Sequence, residues 1–291
     1  MIDRLRFETA CRTVTSGGRL QKGIGTKSER SVHAVLKNYF EPYHDSQEQK
    51  VGSYIADIVG ESGIIEIQTA SFSHLRGKLA EFLPISRVTV VYPVYVKKVI
   101  VTLDGDTGEV KSRRTSPLKG SAYDIFTELF PISEFLLHEN LSFTIMLLEA
   151  DELRIPPESI GRKKNRRGRL SVCDRIPTAL IDEVNITCPE DWQKLIPCLM
   201  DEDYTTADLA AAANIPRQTA QLALSALQRG GVAVRTGKKG HAYTYRFYKD
   251  TLRSSDIEYK LKGIALNIVP TESFVKADKV LTLFMLNTIA S

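Results

Sequence analysis

The segment YIADIVGESGIIEIQTA, residues 54–70, carries the residue types and spacing with the clearest chemical potential. Gly60-Glu61-Ser62-Gly63 is a turn signal between two apolar, β-branched runs. A four-residue hairpin loop over 60–63 pairs 59 with 64, 58 with 65 and 57 with 66, so Asp57 faces Glu66 directly. Opposed Cβ atoms in an antiparallel pair lie roughly 5 Å apart. Two carboxylates at that separation repel by about 1 kcal/mol or more in a partly screened setting. A divalent cation between them removes the penalty, and Mg²⁺ is characteristically held by one or two carboxylates plus phosphate oxygens. Strand alternation adds Gln68 to the face of Glu66 and turns Ile65 and Ile67 to the other side.

The elements that must position this hairpin are legible around it. A helix is predicted from about Ser28 to Phe40, with Val32, Val35, Leu36, Tyr39 and Phe40 at helical spacing and Pro42 closing it. The extended runs Gly52–Val59 and Ile64–Thr69 follow, then a helix over about Ser73–Leu83 that Pro84 ends. RVTVVYPVYVKKVIVTL (87–103) reads as one or two buried strands, and DGDTGE (104–109) as a turn. A helix near Ala122–Phe130 and a strand at Leu141–Leu148 complete an α/β domain with a mixed sheet. Residues 1–25 are polar and glycine-containing, with apolar patterning only at the start.

At Ala56-Asp57 and Glu66-Ile67-Gln68 the chain resembles the PD-(D/E)XK nuclease superfamily, over roughly residues 25–105. That family has an acid near the end of one strand, Glu-x-Lys on the next, and an αβββαβ core. Here alanine replaces the proline and Gln68 the lysine; some restriction enzymes of the superfamily also carry Glu-x-Gln. In other members the basic residue sits on the following helix, where Lys78 and Arg76 stand here. A further acid on the first helix matches Glu29, although Thr26-x-x-Glu29 also reads as a capping box. The resemblance implies Mg²⁺ or Mn²⁺ held by Asp57, Glu66 and the Ile67 carbonyl, with Gln68 positioning the attacking water. Gln68 could not act as a general base, because an amide does not titrate.

A second domain is predicted downstream. Asp191–Glu202 reads as a helix, Thr205/Thr206 as the N-cap of Ala207–Ala213, Asn214-Ile215-Pro216 as a turn, and Arg217–Arg229 as a third helix. Residues 232–248 form two strands about a Gly-Lys-Lys-Gly turn, with Leu209, Ile215, Leu222, Leu224 and Leu227 as core. This order resembles the winged helix-turn-helix family. In that family the third helix enters the major groove, here with Arg217, Gln218, Thr219 and Gln221, and the wing touches backbone, here with Arg235, Lys238, Lys239 and His241.

Charge points the same way. The net charge is only +4, yet RKKNRRGR (162–169), including Arg166 and Arg167, has six basic residues in eight. Leu209–Lys249 contains seven Lys or Arg and no acid, as a polyanion-binding surface requires. Cys11, Cys173, Cys188 and Cys198 lack C-x-x-C spacing and read as reduced thiols. No H-E-x-x-H, G-x-S-x-G or glycine-rich phosphate loop occurs, which argues against zincin, hydrolase-triad and nucleotide-binding chemistry. No run of 18 apolar residues and no apolar h-region occurs, so a cytoplasmic protein with no membrane span is expected.

The expected architecture is therefore a restriction-endonuclease-like mixed sheet with a second, smaller winged-helix domain. Its segments are a nuclease-like domain over 1–150, a basic linker or arm over 151–180, a winged helix over 181–250, and an unassigned segment over 251–291. The expected function is a metal-dependent DNA endonuclease. The alternative is a non-catalytic DNA-binding or regulatory protein on a degenerate nuclease fold. Cutting both strands with one site per chain favours a homodimer, and a basic arm would bind RNA as well as DNA.

Overall fold

The structure is a computed structural model and describes residues 2–16, 31–156, 170–197 and 202–247. Its main body is a mixed sheet of seven strands with helices on both faces. In chain order the elements are α1 (Arg4–Ser16), α2 (Ser31–Phe40), β1 (Gln47–Val51), β2 (Tyr54–Gly60), β3 (Gly63–Ile67), α3 (Leu75–Phe82), β4 (Val88–Leu103), β5 (Val110–Thr115), α4 (Ile125–Glu128), β6 (Leu141–Ile155) and β7 (Ser171–Ile186). They continue with β8 (Tyr204–Thr205), α5 (Thr206–Ala212), α6 (Arg217–Arg229), β9 (Ala233–Lys239) and β10 (Ala242–Phe247).

The large sheet runs β1-β2-β3-β4-β6-β7, with β5 paired to β4. β3, β4 and β6 are parallel, and the other pairs are antiparallel. This is the α/β class that the sequence predicts. Two cores sandwich the sheet. On one face Phe7, Ala10 and Val14 of α1 and Val32, Val35 and Leu36 of α2 pack against Ile58, Ile67 and Val91. On the other Leu75, Leu79 and Phe82 of α3 and Ile125 and Phe126 of α4 pack against Ile64, Val90 and Phe143.

Several elements depart from the sequence reading. Residues 87–103, read as one or two strands, hold a single 16-residue strand, β4, flanked by parallel β6 along its length, by parallel β3 at its start and by antiparallel β5 at its end. The α/β body does not end at 150: β6 runs to Ile155, and β7, expected within the linker and beyond, closes the sheet. β7 is hard to see because it is an edge strand, half exposed, with Pro177 inside it, and proline is tolerated there. β1, QEQKV, is likewise a polar edge strand without an apolar signal. α1 was hidden in a polar stretch, although Phe7, Ala10 and Val14 fall on one helical stripe.

In the smaller part, α6 has the bounds predicted and α5 starts at the predicted cap, with Thr205 and Asp208 forming a capping box. Of the helix expected over Asp191–Glu202, residues 198–201 lie outside the described residues, and the described part holds a short 3₁₀ segment, Pro189–Lys194, with Trp192 buried. β8, β10 and β9 form a three-stranded sheet in that order, and the hairpin turns at Gly240-His241, so Lys238 and Lys239 lie within β9. Leu209, Leu224 and Leu227 are buried, Ile215 is partly buried against them, and Leu222 is half exposed. These residues share one core with the sheet above: Trp192 packs on Phe126 and Phe143, with centroids 5.6 Å apart in each case.

Trp192 is the only tryptophan and 1% exposed. Trp192→Ala is expected to cost about 3–5 kcal/mol, the usual loss for a large buried aromatic. Urea unfolding followed by circular dichroism checks this, and the smaller sheet should melt with the larger one in a single transition.

Candidate functional site

The site lies where the β2–β3 hairpin opens. Gly60 pairs with Gly63, Val59 with Ile64, and Ile58 with Ile65. The loop is therefore the two residues Glu61-Ser62, tighter than predicted, with the register unchanged. Gly63 has φ +111°, and a Cβ there would collide with the Arg87 carbonyl, so glycine fixes the turn. At the next step of that register Asp57 comes across from Glu66, and the backbone ladder gives way to side chains. Ile67 N–H donates to Asp57 Oδ2 at 2.7 Å, and Asp57 N–H donates to Glu66 Oε1 at 3.4 Å.

Each carboxylate is reached from a different helical layer. Glu66 lies on the same side of β3 as Ile64, under α3, and is 0% exposed. Lys78 of α3 donates to both its oxygens, at 2.7 and 3.0 Å. Asp57 is met from the α2 layer, where His33 Nε2 lies 3.3 Å from Oδ2. The four side chains thus interlock as His33–Asp57–Glu66–Lys78, with the Ile67 amide between the carboxylates.

The electrostatics follow from this placement. Burial, reinforced by the Asp57 charge, pushes the Glu66 carboxyl up to about 7, against the pull of Lys78. Burial alone would raise Asp57 as well, but the His33 contact, the Ile67 N–H and Lys78 hold it below the usual carboxylate value. One carboxyl of the pair is therefore poised to hold a proton near neutrality while its neighbour stays ionised.

Of the residues predicted from sequence, Asp57, Glu66 and the Ile67 backbone come together. Gln68 does not join them: β3 ends at Ile67, the Gln68 N–H donates to the Val91 carbonyl, and its side chain makes no hydrogen bond among the described residues. Lys78 takes the basic position. Arg76 instead pairs with Glu134 on the surface at 2.7 Å, and His74 is exposed. Glu29, Arg166 and Arg167 lie outside the described residues. His33 was missed, although its place four residues after Glu29 set it on the sheet-facing stripe. Arg217, Gln218 and Gln221 are exposed on the first turns of α6, and Thr219 is half-buried. On the hairpin Arg235, Lys238 and Lys239 are exposed, and the first two lie against the Tyr243 ring. Among the described residues no helix is long and apolar enough to cross a membrane.

The fold and this arrangement define an α/β protein with a buried carboxylate pair at the open end of a hairpin. The chain belongs to the family described as Domain of unknown function (DUF8091), which matches residues 30–187 and so spans α2 through β7 and all four site residues. It is 30% identical over 224 residues to an uncharacterized protein of Treponema pallidum (strain Nichols), covering 77% of this chain and 87% of that one. No solved structure matches it.

A raised carboxyl makes the fold bind its proton more tightly than the unfolded chain does. Its stabilisation is complete below the ordinary value of 4.5 and is lost as pH rises through about 7. In EDTA, Glu66→Gln, which mimics the protonated form, should be more stable than the wild type at about pH 8 and close to it at about pH 5. Urea denaturation at the two pH values measures the difference.

Proposed function

We propose that this chain is a metal-dependent DNA endonuclease that hydrolyses phosphodiester bonds at the Asp57–Glu66 pair. The observation that carries the reading is a fully buried Glu66 set against Asp57, with Lys78 delivered to it from the next helix. A pair placed for stability would not bury like charges together. The residues fit a hard cation. The pair has oxygen donors only. Two carboxylates with water and phosphate completing the shell is the Mg²⁺ pattern.

Asp57, Glu66 and the Ile67 carbonyl would hold Mg²⁺ or Mn²⁺, which supplies Lewis-acid polarisation of the phosphate and an acidified water. The chain's own contribution is positioning. Ile67 N–H and His33 fix the Asp57 carboxylate, and Lys78 fixes that of Glu66 and brings a positive charge to a phosphate docked beside the pair. In the nuclease resemblance this charge comes from the lysine two residues after the glutamate. Here Lys78 supplies it from α3 and frees position 68 to be glutamine.

DNA engagement is assigned to the β8–α5–α6–β9–β10 unit, read as a winged helix. Its support is the exposure of Arg217, Gln218 and Gln221 at the start of α6 and of Arg235 and Lys238 on the hairpin, within a window, 209–249, that contains no acid in sequence. A second reading, a DNA-binding protein on a disarmed nuclease fold, is favoured by one observation: Lys78 already engages both Glu66 oxygens.

Purified protein is expected to nick supercoiled plasmid with Mg²⁺ or Mn²⁺ and not in EDTA. Asp57→Ala and Glu66→Ala should abolish nicking. Lys78→Ala should lower the rate by about 10²–10³, as loss of one electrostatic donor does, while Gln68→Ala keeps most of it. Tight DNA binding by a wild type that never nicks would select the second reading, and nicking that survives Asp57→Ala would reject the site.

A further inference from the structure

Beyond the end of β3 the strands β5, β4, β6 and β7 run on together, and one cross-strand row there reads Arg114, Ile100, Glu152, Arg175. Glu152 is 1% exposed, yet it is surrounded by cations. Arg175 Nε donates to Oε2 and Arg154 Nε to Oε1, each at 2.8 Å, and Lys98 Nζ lies 3.6 Å from Oε2. The Tyr95 ring backs two of them, with Arg175 Cζ at 5.4 Å and Lys98 Nζ at 6.0 Å from its centroid.

This is more positive charge than a structural ion pair needs. Among the described residues Lys98, Arg114, Arg154 and Arg175 stand against three carboxylates, Glu152, Asp174 and Asp124, and Arg114 is exposed in the same row. Of these carboxylates, Asp174 and Asp124 are each held in place by neutral donors. Asp174 accepts the N–H and hydroxyl of Ser31 and the N–H of Arg175. Asp124, whose charge reaches Lys98, forms a capping box with Ser121. The opposite sheet face is different in kind, since its cations are paired one to one, as Lys97–Glu149 and Arg113–Asp151. The three side chains around Glu152 are partly open to solvent, at 19%, 30% and 26% exposed, so they are pre-positioned and still accessible. A fixed, half-desolvated guanidinium pair with a lysine is a phosphate-binding arrangement.

We propose that Lys98, Arg114, Arg154 and Arg175, organised around Glu152, form a second contact for the phosphate backbone of duplex DNA, apart from the cleavage site. The proposal rests on the nucleic-acid reading of the Asp57–Glu66 site and deepens it. The substrate is gripped at phosphates remote from the one cleaved, by the sheet itself and not only by the α6 and hairpin surface. Lys98 is seven residues beyond Val91, the β4 partner of Ile67, which corresponds to about 23 Å along an extended strand.

The test is fluorescence anisotropy of a labelled DNA duplex in EDTA over a range of salt concentrations. Lys98→Gln and Arg114→Gln should each weaken binding and lower the slope of log affinity against log salt by about 0.9, one phosphate contact apiece. Glu152→Gln should do the reverse, tightening binding and steepening the slope, because it removes the counter-charge and keeps the cations. Damage to the fold would weaken binding in all three variants, so opposite signs are the signature of the proposed role. Arg114 is exposed, so its substitution leaves the fold intact. Unchanged slopes in Lys98→Gln and Arg114→Gln, or a Glu152→Gln change in the same direction as theirs, would overturn the proposal. Plasmid cleavage separates it from the nuclease reading. Protein that binds with these slopes without cutting keeps the contact and loses the nuclease, and protein that cuts with unchanged slopes does the opposite.

Discussion

The structure turns on two carboxylates that the fold forces together. Asp57 and Glu66 meet where β2 and β3 part, the Asp57 N–H donating to Glu66 Oε1, and Glu66 has no exposure to water. Solvent reaches Asp57 only in part and Glu66 not at all, so other groups relieve the repulsion: the Ile67 amide and His33 on Asp57, and the Lys78 ammonium on Glu66. Such a half-compensated pair is high in energy by itself, and perturbed carboxylates of this kind cluster at functional sites.

The surrounding elements make sense as devices to hold that opening. Gly63 permits a turn too tight for a side chain, which fixes the register that brings 57 opposite 66. Two cores clamp the hairpin from opposite faces, so α2 carries His33 and α3 carries Lys78 to the same pair from either side. The parallel β3–β4–β6 centre provides rigid backing, and Gln68 is drawn toward Val91 because it begins the exit from β3. The family match over 30–187 runs from α2 to the end of β7 and includes all four site residues, while α1, which packs on the same core, lies outside it.

Much of the central sheet was legible because its signals are local. The turn between two β-branched runs gave the register, and register gave the carboxylate pair. Thr205 and Asp208 announced the start of α5, and the leucine and alanine stripe gave α6. What escaped reading was set by tertiary context. β1 and β7 are edge strands whose polar faces look like loop, and α1 buries only a narrow stripe. Gln68 was assigned to the site by alternation, but the strand ends one residue earlier. Lys78 was named from the resemblance beside Arg76, and α3 packing on β3 is what selects it, bringing it to Glu66 twelve residues away. His33 shares the sheet-facing stripe of α2, but only the packing of α2 on β2 shows that it reaches Asp57.

The central claim is that the carboxylate pair is a cation site whose proton is the cation's competitor. Isothermal titration of Mg²⁺ or Mn²⁺ into the protein at neutral pH, repeated in buffers of different ionisation enthalpy, tests it directly. The account predicts saturable binding with release of a fraction of one proton, fading at alkaline pH as Glu66 ionises, and absent in Glu66→Gln. Binding without proton release, binding that persists unchanged in Asp57→Ala with Glu66→Ala, or no binding at all would contradict it.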